Sequence, residues 1–117
     1  MTRFGGYAAL FDRVDRSGDV FRAGAFAGAV SVPLLRNHRG APIGGVTVCE
    51  DERGLLVAGF LAEDVDGVRV GDGLSVGFRA TATRQGARRE ILGVRLVEVS
   101  LVAVPMQPGA RVTMVSN

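Results

Sequence analysis

A mainly β domain, a small barrel or sandwich with little helix, is what this sequence predicts, and three observations carry that expectation. Seventeen glycines punctuate short apolar runs, the pattern of strands joined by tight turns rather than of long helices. Several runs alternate apolar and polar residues with period two, residues 74–83 most clearly. The chain has 117 residues, of which 47% are hydrophobic and 22% charged, enough for one domain spanning residues 1–117 around a single modest core.

Taken in order, residues 4–11 read as a first strand and residues 12–19 as a polar loop. Residues 21–30 are the helical candidate, interrupted by Gly24 and Gly28. Residues 31–37 have strand character and carry His38 at their end, before an Arg39-Gly40-Ala41-Pro42 break. Residues 43–49 and 55–61 form two further strands joined through Glu50-Asp51-Glu52-Arg53-Gly54, and Asp66-Gly67 marks another turn. In residues 74–83, Leu74, Val76, Phe78 and Ala80 share one face, and Ser75, Gly77 and Arg79 the other. The last long run, residues 91–104, stops at Pro105-Met106-Gln107-Pro108 because proline cannot donate to a ladder.

Composition narrows the function classes. A single cysteine, Cys49, permits no internal disulfide and fits a reducing compartment. No apolar run approaches the length that spans a bilayer, and the first residues show no export signal, so a cytoplasmic location without membrane attachment is expected. The net charge is +2 and every basic residue is arginine; the densest stretch, Arg84, Arg88 and Arg89, has no interleaved aromatics, which argues against nucleic-acid binding. One histidine, one cysteine and acidic residues such as Asp64 and Asp66 in no ligand pattern give no metal site, and no organic cofactor is expected.

Three residues stand out chemically. Glu98 lies in the most hydrophobic stretch of the chain, where a carboxylate is costly unless it is paired; taken alone it fits equally a solvent-facing position or an ion pair with Arg79 or Arg95. His38 is the sole histidine, so imidazole chemistry must use it, although a histidine at a strand end is commonly a surface residue. Ser75 sits in Gly73-Leu74-Ser75-Val76-Gly77. That string matches a nucleophile elbow, but the strand continues past it and no helix follows, so the elbow is rejected; the flanking glycines suit a bulge or a close backbone approach. Together, a serine, a base and a carboxylate are the parts of a serine-hydrolase triad, whose chain order varies between folds and whose convergence spacing cannot show.

The ordered segments resemble those of the caudovirus prohead serine proteases, which are similar in fold and active site to the herpesvirus assemblins. The resemblance is carried by Gly6-Tyr7-Ala8-Ala9-Leu10-Phe11-Asp12, Val32-Pro33-Leu34-Leu35-Arg36-Asn37-His38, Gly73-Leu74-Ser75-Val76-Gly77-Phe78 and Leu96-Val97-Glu98-Val99-Ser100-Leu101-Val102. The ending Pro105-Met106-Gln107-Pro108 is similar to versions in gene transfer agents and related alphaproteobacterial prophages. The resemblance implies a closed or nearly closed barrel with one or two short helices. It implies a serine endopeptidase with Ser75 as nucleophile, His38 as general base and Glu98 as third member, and an oxyanion site near residues 105–111. Its implied substrate is the scaffold or delta region of the major capsid protein, and the protease itself, inside procapsids assembling in a bacterial host; homodimeric association is implied too. The family's helix before the serine segment is reduced here to residues 62–72, where Gly67 and Gly71 favour turns. That shortening bears on dimer contacts and groove walls rather than on the triad segments. The alternative readings are an inactive, truncated relative serving as a capsid-assembly or scaffold-binding module, and an unrelated small β-barrel binding domain.

Overall fold

A computed structural model describes residues 1–62, 65 and 67–117. Eight strands form one mixed sheet: β1 Arg3–Leu10, β2 Asp19–Phe21, β3 Ser31–Arg36, β4 Arg39–Glu50, β5 Gly54–Leu61, β6 Gly73–Gln85, β7 Arg89–Val102 and β8 Val112–Ser116. The ladder runs β7-β3-β4-β5-β1-β8, with β6 on the other edge of β7 and the short β2 paired in parallel to the start of β7. β3 is also parallel to β7, while β1, β4, β5, β6 and β8 pair antiparallel with their neighbours.

The expected closure is not realised as a ladder. Between β6 and β8 the described residues form the isolated Gly73–Arg111 bridge rather than a ladder, flanked by Leu74 N–H to Ala110 O, Val112 N–H to Asp72 O and Gly71 N–H to Val112 O. The sheet is therefore open, with its ends drawn together at one corner.

No helix forms among the described residues, which corrects the helical expectation for residues 21–30. Phe21 ends β2, and the chain then runs through consecutive turns closed by Ala25 N–H to Arg22 O, Ala27 N–H to Gly24 O and Ala29 N–H to Phe26 O. Gly24 and Gly28 adopt φ of 92° and 85°, a conformation that right-handed helix excludes and glycine accepts at little cost. The Arg39-Gly40-Ala41-Pro42 break is likewise absent: these residues open β4. Pro42 precedes the first β4–β5 pair, Gly44 with Leu61, so its missing N–H removes no bond from that ladder. In the 62–72 segment, Val65 N–H bonds Ala62 O, and Gly67 and Gly71 have φ of 96° and 98°; Asp64 and Asp66 lie outside the described residues.

The core gathers the inward positions of the alternating strands. β5 is the cleanest case, with Leu55, Val57 and Leu61 buried and Leu56, Ala58 and Phe60 outward. Phe21 is central, with ring centroids 5.1 Å from both Phe26 and Phe78, within the range of favourable aromatic pairs. The sheet's far end is held by charge. Glu90 accepts from Arg22 Nε at 2.8 Å and from Arg84 Nε and Nη2 at 3.0 and 2.8 Å, and the two guanidinium groups hold its carboxyl down to about 2 from its ordinary 4.5.

That depression has a sign. A carboxylate whose folded pKa lies below its unfolded one contributes stability that is complete above the unfolded value and is lost as pH falls through the folded value. The melting-temperature difference between wild type and Glu90→Gln is therefore expected to be full near neutral pH and to shrink between about 4.5 and 2. A difference that stays constant over that window removes Glu90 from the acid-sensitive set.

Candidate active site

The strand order explains how residues 38, 75 and 98 come into one neighbourhood. β7 lies between β3 and β6. On one side Ser75 pairs with Ser100 and Gly77 with Glu98. On the other, Leu34, Leu35 and Arg36 pair with Val99, Ser100 and Leu101, so the β3–β4 hairpin tip is laid against the end of β7. Asn37 N–H bonds Leu101 O at 2.9 Å, and His38 N–H bonds Ser100 Oγ at 3.0 Å.

That tip is a two-residue hairpin loop, Arg36 pairing with Arg39. Asn37 and His38 have φ of 53° and 61°, the double left-handed signature of a type I′ turn, which suits the twist of a tight hairpin. Neither residue is glycine, and such conformations cost on the order of 1 kcal/mol each. The two bonds to β7 hold the turn in place. His38 thus occupies the turn itself rather than a strand end.

Glu98 is 6% exposed and has both oxygens engaged. Its Oε1 meets His38 Nδ1 at 2.6 Å and its Oε2 accepts from Ser100 Oγ at 2.7 Å. The solvent-facing position and the arginine ion pair, both open from sequence, are not what the structure has; Arg79 and Arg95 face each other across the ladder and are exposed. The carboxylate reaches His38 by crossing over Gly77. A Cβ at position 77 would overlap Oε1 and lie 2.6 Å from the carboxyl carbon. The second glycine of the Gly73–Gly77 string thus makes room for a neighbouring strand's side chain, where the sequence suggested a close approach of backbone.

Ser75 is buried at 7% exposure and lines, together with His38, a cavity of about 120 Å³ whose walls include Ala8, Phe21, Phe78 and Met106. No hydrogen bond joins the Ser75 hydroxyl to the imidazole in this conformation; the pair share the cavity wall. Asp15 closes its polar end, with Oδ1 accepting from Ser17 N–H, Ser17 Oγ and Asp19 N–H. Gln107, also in the cavity wall, is clamped to β1: its Nε2 donates to Leu10 O at 2.9 Å and its Oε1 accepts from Leu10 N–H at 2.6 Å. This buried amide substitutes for a strand partner and fixes the 105–111 loop beside the cavity. With Arg16 Nε bonding Pro105 O and Arg16 N–H bonding Met106 O, the loop is held from two sides.

The sequence profile described as caudovirus prohead serine protease matches residues 1–117. The chain belongs to that family. The prohead protease of Enterobacteria phage HK97 is 34% identical over 92 residues, an alignment that covers 64% of this chain and 41% of the phage protein. The chain therefore spans about two fifths of the length of that relative.

In this family member the reading of the sequence passed over Ser100 and Gln107. Ser100 had only its place two residues from Glu98 on a strand, hence on the same face, as a signal. Gln107 had none beyond being a polar residue between two prolines.

Gly77→Ala is expected to displace the Glu98 carboxylate, at a cost of about 1–3 kcal/mol for overpacking. The His38 ring N–H resonance that reports the Nδ1–carboxylate bond should be lost or move strongly. An unchanged resonance would mean that Glu98 has room the structure denies it.

Proposed function

We propose that this chain is a serine endopeptidase that processes the scaffold or delta region of a major capsid protein during prohead maturation, acting within assembling procapsids in the bacterial cytoplasm. The observation that carries the reading is the His38–Glu98 bond at 2.6 Å beside a cavity shared by His38 and Ser75, in a chain of this family.

In the proposed reaction the Ser75 hydroxyl attacks the scissile carbonyl, and His38 takes its proton and later gives it to the leaving amine. Because Nδ1 is turned to Glu98, Nε2 is the nitrogen left for that work. Glu98 holds the ring in the right tautomer and supports the imidazolium as it forms. Burial of Glu98 strengthens this role, since the charge acts through little water. The 120 Å³ cavity receives a substrate side chain next to the scissile bond.

The 105–111 loop supplies the oxyanion donors. Pro105 and Pro108 have no N–H, and Ala110 gives its own to Gln107 O. Among the described residues this leaves Met106, Gln107, Gly109 and Arg111 with uncommitted backbone N–H groups, and the Gln107 clamp holds the loop rigid enough to present them.

The test is co-expression with the major capsid protein of the same genome, followed by mass determination of capsid products. Wild type should yield a truncated capsid protein, and Ser75→Ala, equally folded, should yield none. Processing at the wild-type rate by Ser75→Ala would sink the assignment.

Glu98→Gln keeps the shape and removes the charge, with an expected loss of about 10²- to 10⁴-fold in cleavage rate. Comparing that loss with the thermal stability of the same sample separates a catalytic carboxylate from a purely structural one. A rate that falls only in proportion to the folded fraction would take Glu98 out of the triad.

A further inference from the structure

Ser100 has no part in the reaction just described, yet its hydroxyl joins the backbone of His38 to the carboxylate of Glu98. It is fully buried. Its Oγ accepts from His38 N–H at 3.0 Å and donates to Glu98 Oε2 at 2.7 Å, while Glu98 Oε1 meets the Nδ1 of the same histidine. The four groups close a ring: backbone N–H of His38, hydroxyl of Ser100, carboxylate of Glu98, imidazole of His38.

The directions of the two bonds made by the Ser100 hydroxyl are determined. A backbone N–H can only donate, so it occupies an acceptor site of the Ser100 hydroxyl and leaves the hydroxyl proton for Glu98. A carboxylate held at one oxygen can swing about its last torsion; held at both, it presents Oε1 in a fixed plane to His38. The same hydroxyl also anchors a histidine whose backbone sits at φ 61°, a conformation that must be held from outside.

We propose that Ser100 is a positioning residue of the proteolytic site, one hydroxyl that aims the Glu98 carboxylate and pins the strained His38 turn at the same time. The inference rests on the protease reading given above, and Ser100 acts only through His38 and Glu98. A residue needed merely to fill a buried strand position would not require a hydroxyl; a β-branched apolar side chain serves that purpose better. Remove the hydroxyl and Glu98 Oε2 and His38 N–H both lose the partner they have among the described residues, which leaves a largely buried carboxylate oxygen uncompensated.

Ser100→Ala and Ser100→Cys in the full chain test this, each read by the rate of fluorophosphonate labelling at Ser75, by the His38 ring N–H resonance and by thermal unfolding. Well below the melting temperature, Ser100→Ala is expected to label about 10- to 100-fold more slowly, the equivalent of one hydrogen bond to a charged group, with the ring resonance shifted and in faster exchange. Ser100→Cys, which keeps the volume but donates weakly, should fall between. In a Glu98→Gln background the effect of Ser100→Ala should largely vanish, since the two act as a unit. Lowered melting temperatures with wild-type labelling of the folded fraction and an unchanged ring resonance would overturn the proposal, as would full additivity with Glu98→Gln. If wild type itself does not label, the protease reading fails, and the ring resonance still decides Ser100: a shift in the variants supports positioning and no shift overturns it. If Ser100→Ala does not fold, Ser100→Cys carries the same comparison.

Discussion

The register of β7 between its two neighbours is the constraint on which the site depends. β7 is the strand that pairs with both the His38 hairpin and the Ser75 strand. Side chains alternate faces along a strand, so a slip of one residue would turn Glu98 and Ser100 to the opposite side while leaving the backbone ladder almost as well bonded. What forbids the slip is the apolar set interleaved with them. Val99 and Leu101 belong to the core and are nearly or fully buried, and exchanging them with Glu98 and Ser100 would bury charge in the core and expose the core to the site. The hydrophobic pattern of the strand therefore aims the polar residues as well.

Burial of a carboxylate sets the next demand. An uncompensated buried charge costs several kcal/mol, and a neighbour that pairs imperfectly does not recover it. Glu98 meets this with one bond at each oxygen, and the space its side chain needs comes from Gly77 on the adjacent strand. The imidazole is brought to it by a turn whose two central residues both sit at positive φ. Strain in the turn and desolvation of the acid are offset by the same contacts, because the hydroxyl that satisfies Glu98 also holds His38 N–H. This explains why a polar group as small as Ser100 can be buried completely in an otherwise apolar stretch.

Much of the sheet was legible in the sequence because period-two alternation reports burial directly. β1, β5, β6 and β7 follow the expected runs to within a few residues. What was not legible depended on partners far away in sequence. β2 has three residues, too few for a period, and exists because the start of β7 offers it a parallel edge. β8 was hidden after two prolines and is defined by its pairing with β1. Residues 21–30 have helical spacing of apolar positions, yet Gly24 and Gly28 at positive φ convert that spacing into successive turns that drop Phe26 into the core. For the site, the residue types of His38, Ser75 and Glu98 were visible and their order fitted a known family, but the His38–Glu98 bond and the roles of Gly77 and Gln107 were not. A glycine beside another strand's carboxylate, or a glutamine standing in for a strand, leaves no local pattern.

The separation of these residues along the chain has a consequence for when the site can exist. His38 and Glu98 are 60 residues apart, and Gln107 bonds a residue 97 positions away. Contacts of that span form only after the entropy of closing long loops has been met, late relative to local hairpins such as β4–β5 and β6–β7. The β6–β7 hairpin alone sets Ser75 and Glu98 in register, Ser75 opposite Ser100 and Glu98 opposite Gly77, while β3–β4 alone sets the His38 turn. Docking of these two units along β7 is the step that joins base to acid, so the partly folded chain contains the parts of the site without its geometry. Any cleavage competence is thereby tied to completion of the sheet, and destabilising the β3–β7 interface should disable the site before it unfolds the hairpins on either side.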